Sequence, residues 1–338
     1  MNIKHFEIIK KGVVFWNKWR KDNPDIFPDL SGADFAGFNL TRVNFKMANL
    51  SDINFRDANL TRANLIKSNL ARSDLFKANL SNANLSNADL TRCNLNCANL
   101  SNANLKKSNL YRSDMTDAQL SNANLSQANL INAHLENTTL FNANLSAVDL
   151  SDRYFVAFNF SNVNLSGSNL SSSDFKKSDF SNSDLSNTKL NNADLSGSNL
   201  SNTKLISANL SDADLTTATL IGANLNGANL TYANLSEANL NDANLKDANL
   251  MHAILFCSYF RKSNLNNANL SKANLSGAYL YQANLTKANL SDANINGANF
   301  VKVNLSKANL SDVNLQKADL INSKFKDTAK PKTKKSTK

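Results

Sequence analysis

The sequence predicts an all-β solenoid over most of the chain. The prediction rests on the spacing and on the identity of its large apolar residues. A large apolar residue occupies every fifth position from Leu30 to Phe325 without an insertion or deletion, which makes sixty consecutive units. These sixty positions hold 48 Leu, 10 Phe, Met115 and Ile295. Such regularity is typical of a structure in which each unit adds one similar element to a stack.

The five-residue period fits neither a regular helix nor a continuous strand. On an α-helix, five residues advance about 500°, so successive Leu side chains would spiral around the axis. In a strand, an odd shift moves a side chain to the opposite face. The chain therefore has to turn once in every unit. We predict that the small residue, the Asn or Asp and the Leu form a short strand reading in, out, in, and that the next two residues form a corner.

Asn and Asp dominate the outward position just before each core residue. They occupy 49 of the sixty such positions. Their side chains bond backbone amides at turns, and identical side chains stack as ladders between adjacent strands. We therefore interpret this abundance as structural, and do not assign these residues as ligands.

The repeat A-(N/D)-L-x-x resembles the pentapeptide-repeat family over the whole range from Leu30 to Phe325. Residues 221–250, for example, read IGANL NGANL TYANL SEANL NDANL KDANL. The resemblance implies a right-handed quadrilateral β-helix with four units per coil, hence about fifteen coils from sixty units. Core rings twenty residues apart would then stack. The pairs with this spacing are Phe35 with Phe55, Phe155 with Phe175, and Phe160 with Phe180.

The first 27 residues lie outside the repeat and are predicted to form a short N-terminal amphipathic α-helix that ends at Asn23 and Pro24. The apolar residues spaced as one face of this helix are Ile3, Phe6, Ile9, Val13 and Trp16. Such a helix would cover the first coil, whose unpaired strand edge otherwise invites aggregation. A basic helix bearing two Trp residues could alternatively lie on a membrane surface. The lead-in GVVFWNKWR resembles that of many bacterial, particularly cyanobacterial, members of the family.

The formal net charge of +10 lies mainly at the two ends of the chain. Residues 1–27 hold six Lys or Arg and three acidic residues, and residues 324–338 hold seven Lys and one acidic residue. The array between them is nearly neutral, with 24 basic and 23 acidic residues. We predict a disordered Lys-rich tail at 326–338. The expected domains are thus a capping segment at 1–27, a β-helix at 28–325 and this tail.

Three arginines at the second corner position are the first candidate partner-binding residues. Arg72, Arg92 and Arg112 are twenty residues apart. On twenty-residue coils they would stack along one edge, about 4.8 Å apart. Stacked like charges repel, so an anionic partner would relieve them. The alternative is a solvated surface whose long side chains spread into water.

Two segments break the residue pattern while keeping its count, and they supply the other candidates. In SDRYFVAFNF, Arg153 stands at an inward small-residue site and Tyr154 at an Asn site. In AILFCSYF, Ile254 and Tyr259 stand where Asn belongs, which places apolar groups outside. We predict a local kink or a partner contact at both segments. Drift that the solenoid tolerates is the alternative.

The residues that usually carry chemistry are scattered. The three Cys and three His show no disulfide framework or metal-ligand spacing. The Ser residues lie at corners without a His–Asp partner, and no Gly-rich phosphate loop is present. An interior filled with Leu leaves no cavity for a substrate. We therefore expect no enzyme activity, no catalytic residue, no cofactor and no metal site.

The preferred function is a non-catalytic protein-interaction or scaffold module built on a rigid rod. The family resemblance implies an alternative, a DNA mimic that binds type II topoisomerases, which a near-neutral array without projecting loops disfavours. A third hypothesis is binding to an anionic membrane or nucleic acid through the basic ends and the arginines. A homodimer could form through the terminal coil. The longest N-terminal apolar run, Val13 to Trp16, is too short for a secretory or membrane segment, so we expect a cytoplasmic protein.

Overall fold

The repeating element of the structure, a computed structural model that describes residues 1–329, is a parallel β-bridge. The outward residue of a unit pairs with the residue twenty positions later, as Asp29 does with Asn49 and Asn309 with Ala329. Four such bridges arise in each twenty residues, so every coil has four sides. The stacked Phe pairs confirm this coil length. The distances between ring centroids are 5.9 Å for Phe35–Phe55, 5.5 Å for Phe155–Phe175 and 5.0 Å for Phe160–Phe180.

The chain forms two compact units, Met1–Asp149 and Leu150–Lys338. Within the first unit the bridges run from Asp29 to Asn144, and within the second they run from Tyr154 to Ala329. Each unit is therefore built on the same twenty-residue coil.

Large apolar side chains fill the interior of the coils. Every fifth residue from Leu30 to Leu310 is buried. The last three predicted core residues, Leu315, Leu320 and Phe325, are instead partly exposed. A short 3-10 helix at Leu315–Lys317 replaces the regular corner there.

The regular pairing continues beyond the predicted end of the array. The bridge between Asn309 and Ala329 lies past Phe325, where the tail was predicted to begin. The rest of the predicted tail, residues 330–338, lies outside the described residues.

The corners adopt a backbone conformation that sequence inspection did not predict. The amide of the small inward residue donates to the carbonyl of the preceding core residue, as Ala33 does to Leu30 at 3.1 Å. The second corner residue has a φ between +52° and +69° from Gly32 to Asp327, with the single exception of Lys317 in the 3-10 helix. A positive φ at this place is the pattern of a type II turn. Gly, Asn and Asp tolerate it best, yet Lys, Arg and Thr also occupy it here.

Replacing Thr217 by Asn is expected to raise the free energy of unfolding by about 0.5–1 kcal/mol. Thr217 is β-branched and has a φ of +56°, whereas Asn tolerates the left-handed region. Guanidinium denaturation of the two proteins measures the difference. Asn187 already occupies an equivalent corner with a φ of +58°, so Asn187→Thr should lower stability by a similar amount. An unchanged midpoint for both variants would contradict the strain argument.

The outward Asn and Asp side chains make both of the expected contacts. The Asp29 carboxylate accepts from the Ser31 amide at 3.0 Å, and the same contact recurs at most corners. Between coils the Asn side-chain amide donates to the equivalent oxygen twenty residues earlier, as Asn264 does to Asn244 at 3.0 Å. These residues thus brace each corner and link neighbouring coils.

Two short helices precede the first coil, where the sequence predicted one. Helix α1 spans Ile3–Lys10 and helix α2 spans Val13–Asp22. The chain turns between them at Gly12, whose φ of +105° suits Gly and interrupts a continuous helix. Helix α2 ends immediately before Asn23, as predicted.

Helix α2 covers the edge of the first coil with a buried Trp. Trp16 is fully buried, and its indole Nε1 donates to the Asn44 carbonyl at 2.8 Å. Its ring packs edge-on against Phe45, with 5.6 Å between centroids. Asn17 accepts from the Asn44 amide at 2.8 Å and donates to the Arg42 carbonyl at 2.9 Å. The helix therefore supplies partners for backbone groups that an adjacent strand would otherwise pair.

Arg20 of α2 extends this backbone pairing. Its buried guanidinium donates to the carbonyls of Lys46 at 3.0 Å and Ile26 at 2.6 Å. Burial lowers the pKa of Arg20, because its charged form loses water contacts. Helix α1 adds an apolar contact, since the Phe6 ring lies 5.7 Å from that of Phe35.

Candidate functional surfaces

The first arginine of the predicted ladder forms an ion pair with a carboxylate of the preceding coil. Arg72 binds Asp52 of the preceding coil through two hydrogen bonds of 2.7 Å, from Nε to Oδ1 and from Nη2 to Oδ2. These bonds raise the pKa of Arg72 and lower the pKa of Asp52. The Arg112 guanidinium lies 5.1 Å from the centre of the Tyr111 ring, and Arg92 occupies the same left-handed corner position between the two other arginines. The edge therefore carries less free positive charge than three stacked arginines would.

Asp52 was missed because the column of Arg72, Arg92 and Arg112 was not followed back to the preceding coil. Its signal was available, since it precedes Arg72 by twenty residues. Following this column back by one coil pairs the acid with the base.

The segment around Arg153 pairs regularly with the coil that follows it. Tyr154 forms its bridge with Asp174, and the Asp174 amide donates to the Arg153 carbonyl at 2.8 Å. The Arg153 side chain is half-buried, and its guanidinium lies 5.4 Å from the Phe155 ring centre. Tyr154 points outward and is 85% exposed.

Ile254 and Tyr259 are exposed, and the structure brings two further apolar residues beside them. Phe256 lies at the corner between them, and Tyr279 lies one coil beyond Tyr259. The exposed fractions of Ile254, Phe256, Tyr259 and Tyr279 are 42%, 46%, 43% and 48%. We call these four residues the apolar surface. The predicted kink is absent at this segment, because Ile254 and Tyr259 both keep their bridges to the coils before and after them.

Ring stacking replaces the Asn ladder within the apolar surface. The Tyr259 and Tyr279 rings are nearly parallel, with an interplanar angle of 7° and 5.1 Å between centroids. The Tyr259 amide still donates to the Ala238 carbonyl at 2.9 Å, so the backbone pairing is intact. Phe256 was missed because the breaks in AILFCSYF were sought only at the Asn positions, and Tyr279 was missed because it lies twenty residues after Tyr259.

The Cys and His side chains do not converge on one place. The three Cys are free, Cys93 is buried, and burial raises its pKa to about 12. His134 lies 3.6 Å from Glu136, whereas His252 stacks on Tyr232 with 4.8 Å between ring centroids. Over the described range, no three or more His, Cys, Asp and Glu side chains gather closely enough to hold a metal ion. Within residues 1–329, no helix has the length and apolar character needed to cross a membrane.

Thiol labelling of the native protein at pH 8 is expected to modify Cys97 and Cys257 and to spare Cys93. Cys93 is buried beneath the coil surface, and its thiol donates to the Leu70 carbonyl at 2.8 Å. The reagent therefore cannot reach the thiol, and burial disfavours the reactive thiolate. Mass spectrometry after iodoacetamide treatment counts the modified thiols. In guanidinium all three thiols should react. The variant Cys93→Ser should lose only the thiol that is protected in the native protein. Equal labelling rates for all three thiols in the native protein would contradict the burial.

The described coils define a class of protein, the four-sided parallel β-solenoids whose interiors are filled and whose side chains are displayed on the outside. The chain belongs to the pentapeptide repeat family, whose members form right-handed quadrilateral β-helices. The model described as "Pentapeptide repeats (8 copies)" matches residues 27–57, 53–92, 83–120, 118–152, 253–292 and 288–327. The model described as "Pentapeptide repeat region" matches residues 154–230 and 198–270.

Solved structures of pentapeptide repeat proteins are similar to this chain. HetL from the cyanobacterium Nostoc sp., which is involved in heterocyst differentiation regulation, is 32% identical over 67% of this chain and 86% of its own, with a TM-score of 0.29. QnrB1, a plasmid-mediated fluoroquinolone resistance protein, is 20% identical over 52% of this chain and 93% of its own, with a TM-score of 0.41. A protein of the Arabidopsis thaliana thylakoid lumen is 30% identical over 37% of this chain and 70% of its own, with a TM-score of 0.13. No curated protein matches the sequence.

Proposed function

We propose that this protein is a non-catalytic interaction or scaffold module, in which a pentapeptide-repeat β-helix of about fifteen coils displays side chains to a protein partner. One observation carries the proposal. Ile254, Phe256 and Tyr259 are exposed on the outside of a single coil, at positions that are usually polar, while the core positions are buried. An exposed cluster of large apolar residues is characteristic of a protein-binding surface.

The alternative functions have weaker support. The arginine edge favours an anionic partner less than the sequence indicated, because Asp52 already pairs with Arg72. A DNA mimic needs a strongly negative surface, and the array contains 24 basic and 23 acidic residues.

The test is an affinity capture from the native cell with three forms of the protein. They are the full chain, a chain that ends at residue 329, and the variant Arg72→Asn/Arg92→Asn/Arg112→Asn. We expect all three to retain the same protein partner after nuclease treatment, because the array would make the contact without the Lys-rich end or the three arginines. Loss of the partner from either altered form would overturn the proposal in favour of an anionic-surface binder.

The proposal also includes a homodimer through the terminal coil, and a bacterial cytoplasm as the place of action. The partial exposure of Leu315 and Leu320 in the last coils supports the dimer, since a second copy would bury them. Analytical ultracentrifugation tests it. We expect a dimer for the natural protein and a monomer for Leu315→Ser/Leu320→Ser, and a natural monomer would overturn this part.

A further inference from the structure

We propose that the apolar surface of Ile254, Phe256, Tyr259 and Tyr279 docks an acidic segment of a partner protein that carries aliphatic or aromatic side chains. This inference rests on the proposed function, and goes beyond it by locating the surface and stating the partner's chemistry.

The β-helix does not need the four side chains of the apolar surface. At the equivalent places one coil earlier the chain has Asn234, Ser236 and Asn239, and these support the same bridges and turns. Asn299 likewise follows Tyr279 at the next coil. The four apolar side chains therefore add exposed hydrophobic area that the β-helix itself does not use.

The apolar surface spans two adjacent sides of the coil. Ile254 lies on one side, Phe256 at the corner and Tyr259 on the next side, where the parallel Tyr279 ring extends it by one coil. A partner that covers all four residues must contact both sides. Tyr at the edge of such a contact can bury its ring while its hydroxyl stays in water.

Cations flank the apolar surface, and the coils that carry it hold no carboxylate side chain. Residues 248–291 contain no Asp or Glu, while Arg261, Lys262 and Lys272 lie on the coils of the apolar surface. Among the described residues, the ion pairs do not include any of these three cations. By contrast, Lys176 contacts Asp194 at 2.9 Å elsewhere in the same unit.

Acidic residues mark the limits of this positive region. Glu237 and Asp242 lie in the coil before it, and Asp292 lies in the coil after it. A partner segment with Asp or Glu beside its apolar residues would meet cations at the flanks of the apolar surface and like charges in the coils beyond. Such an arrangement selects both the charge and the position of the partner.

Other occupants fit less well. A second copy would bring the same cations together, and the chain as a whole carries a formal net charge of +10. The chain's own Lys-rich end has the wrong sign for the same reason. Nucleic-acid bases stack on free aromatic faces, but Tyr259 and Tyr279 already turn one face each toward the other.

The experiment measures peptide binding to the full-length protein by fluorescence anisotropy. The probe is a fluorescein-labelled twelve-residue peptide in which Glu alternates with Leu and Phe. Two matched peptides replace Glu by Lys, or replace Leu and Phe by Ser. We expect the acidic apolar peptide to bind at least about ten-fold more tightly than either matched peptide.

Two variants divide the apolar and charged contributions. Ile254→Asn/Phe256→Ser/Tyr259→Asn/Tyr279→Asn installs the polar residues of the neighbouring coils, so the fold should persist, and we expect at least about ten-fold weaker binding. Arg261→Ser/Lys262→Asn/Lys272→Asn should weaken binding about three-fold and reduce its salt dependence. The matched control, Lys204→Asn/Lys246→Asn/Lys287→Asn, removes three cations elsewhere and should bind as the natural protein does. Circular dichroism confirms that each variant folds.

Several outcomes would overturn the inference. They are no binding of the acidic apolar peptide, equal binding of the matched peptides, or unchanged binding by the polar variant. A further outcome is that the natural protein binds polyuridylate or phosphatidylserine vesicles and no peptide. If the polar variant lost that binding, the surface would be assigned to a nucleic acid or a membrane.

If the polar variant still captures the cellular partner, the docking surface fails and the proposed interaction function stands. If the full chain captures no partner, the proposed function itself fails.

Discussion

Leu185→Ala is expected to lower the free energy of unfolding by about 2–5 kcal/mol. Leu185 is fully buried, and coil register places it between Leu165 and Leu205 of the neighbouring coils. The Leu185 amide donates to the Lys204 carbonyl at 2.7 Å, so backbone bonds hold the coil spacing. The interior then cannot collapse to fill the space of the missing methyl groups, and a cavity remains.

Guanidinium denaturation monitored by circular dichroism measures this loss. Ser186→Ala is the matched control, since its backbone amide, and not its hydroxyl, donates to Asp184. We expect the control to change stability by less than about 0.5 kcal/mol. A Leu185→Ala protein as stable as the control would mean that Leu185 faces water, and the β-helical account would fail.

Trp16→Ala is expected to cost about 3–5 kcal/mol and to expose the edge of the first coil. The substitution removes a fully buried ring that packs on Phe45, and it leaves the Asn44 carbonyl without its indole donor. An uncovered strand edge also promotes pairing with other chains. We therefore expect a lower unfolding midpoint, with more aggregation in light scattering during heating.

Two other substitutions separate the contributions of Trp16. Trp16→Phe keeps much of the apolar packing and loses the hydrogen bond, so it should cost less, about 1–3 kcal/mol. Val14→Ser alters a residue of the same helix that is 81% exposed, and should be nearly neutral. If Trp16→Ala were as stable and soluble as Val14→Ser, helix α2 would not serve as a cap.

The periodic parts of the fold were readable from the residues. Steps of five predicted a corner in every unit, and the family resemblance implied the twenty-residue coil that Phe160 and Phe180 confirm by stacking. The Asn residues were interpreted as structural, and Asn264 indeed both belongs to a corner and bonds Asn244 across coils. These features repeat so often that local chemistry alone specifies them.

Single events in the chain were harder to predict. The break between α1 and α2 depends on one residue, Gly12, inside an otherwise helical pattern. Leu315 and Leu320 are partly exposed, and a short 3-10 helix lies in the same part of the array. The left-handed corners left little trace, because Arg and Lys adopt the same φ as Asn and Gly there.

The amino-acid sequence alone determined a coiled β architecture with an apolar interior and an amide-rich surface. A period of five leaves the chain no other way to bury its Leu side chains. Three-dimensional register decided which outward residues share a surface. It paired Asp52 with Arg72, and it placed Phe256 and Tyr279 beside Tyr259. The physical reason is that residues twenty apart lie one coil spacing from each other, so surface chemistry forms across coils and not along the chain.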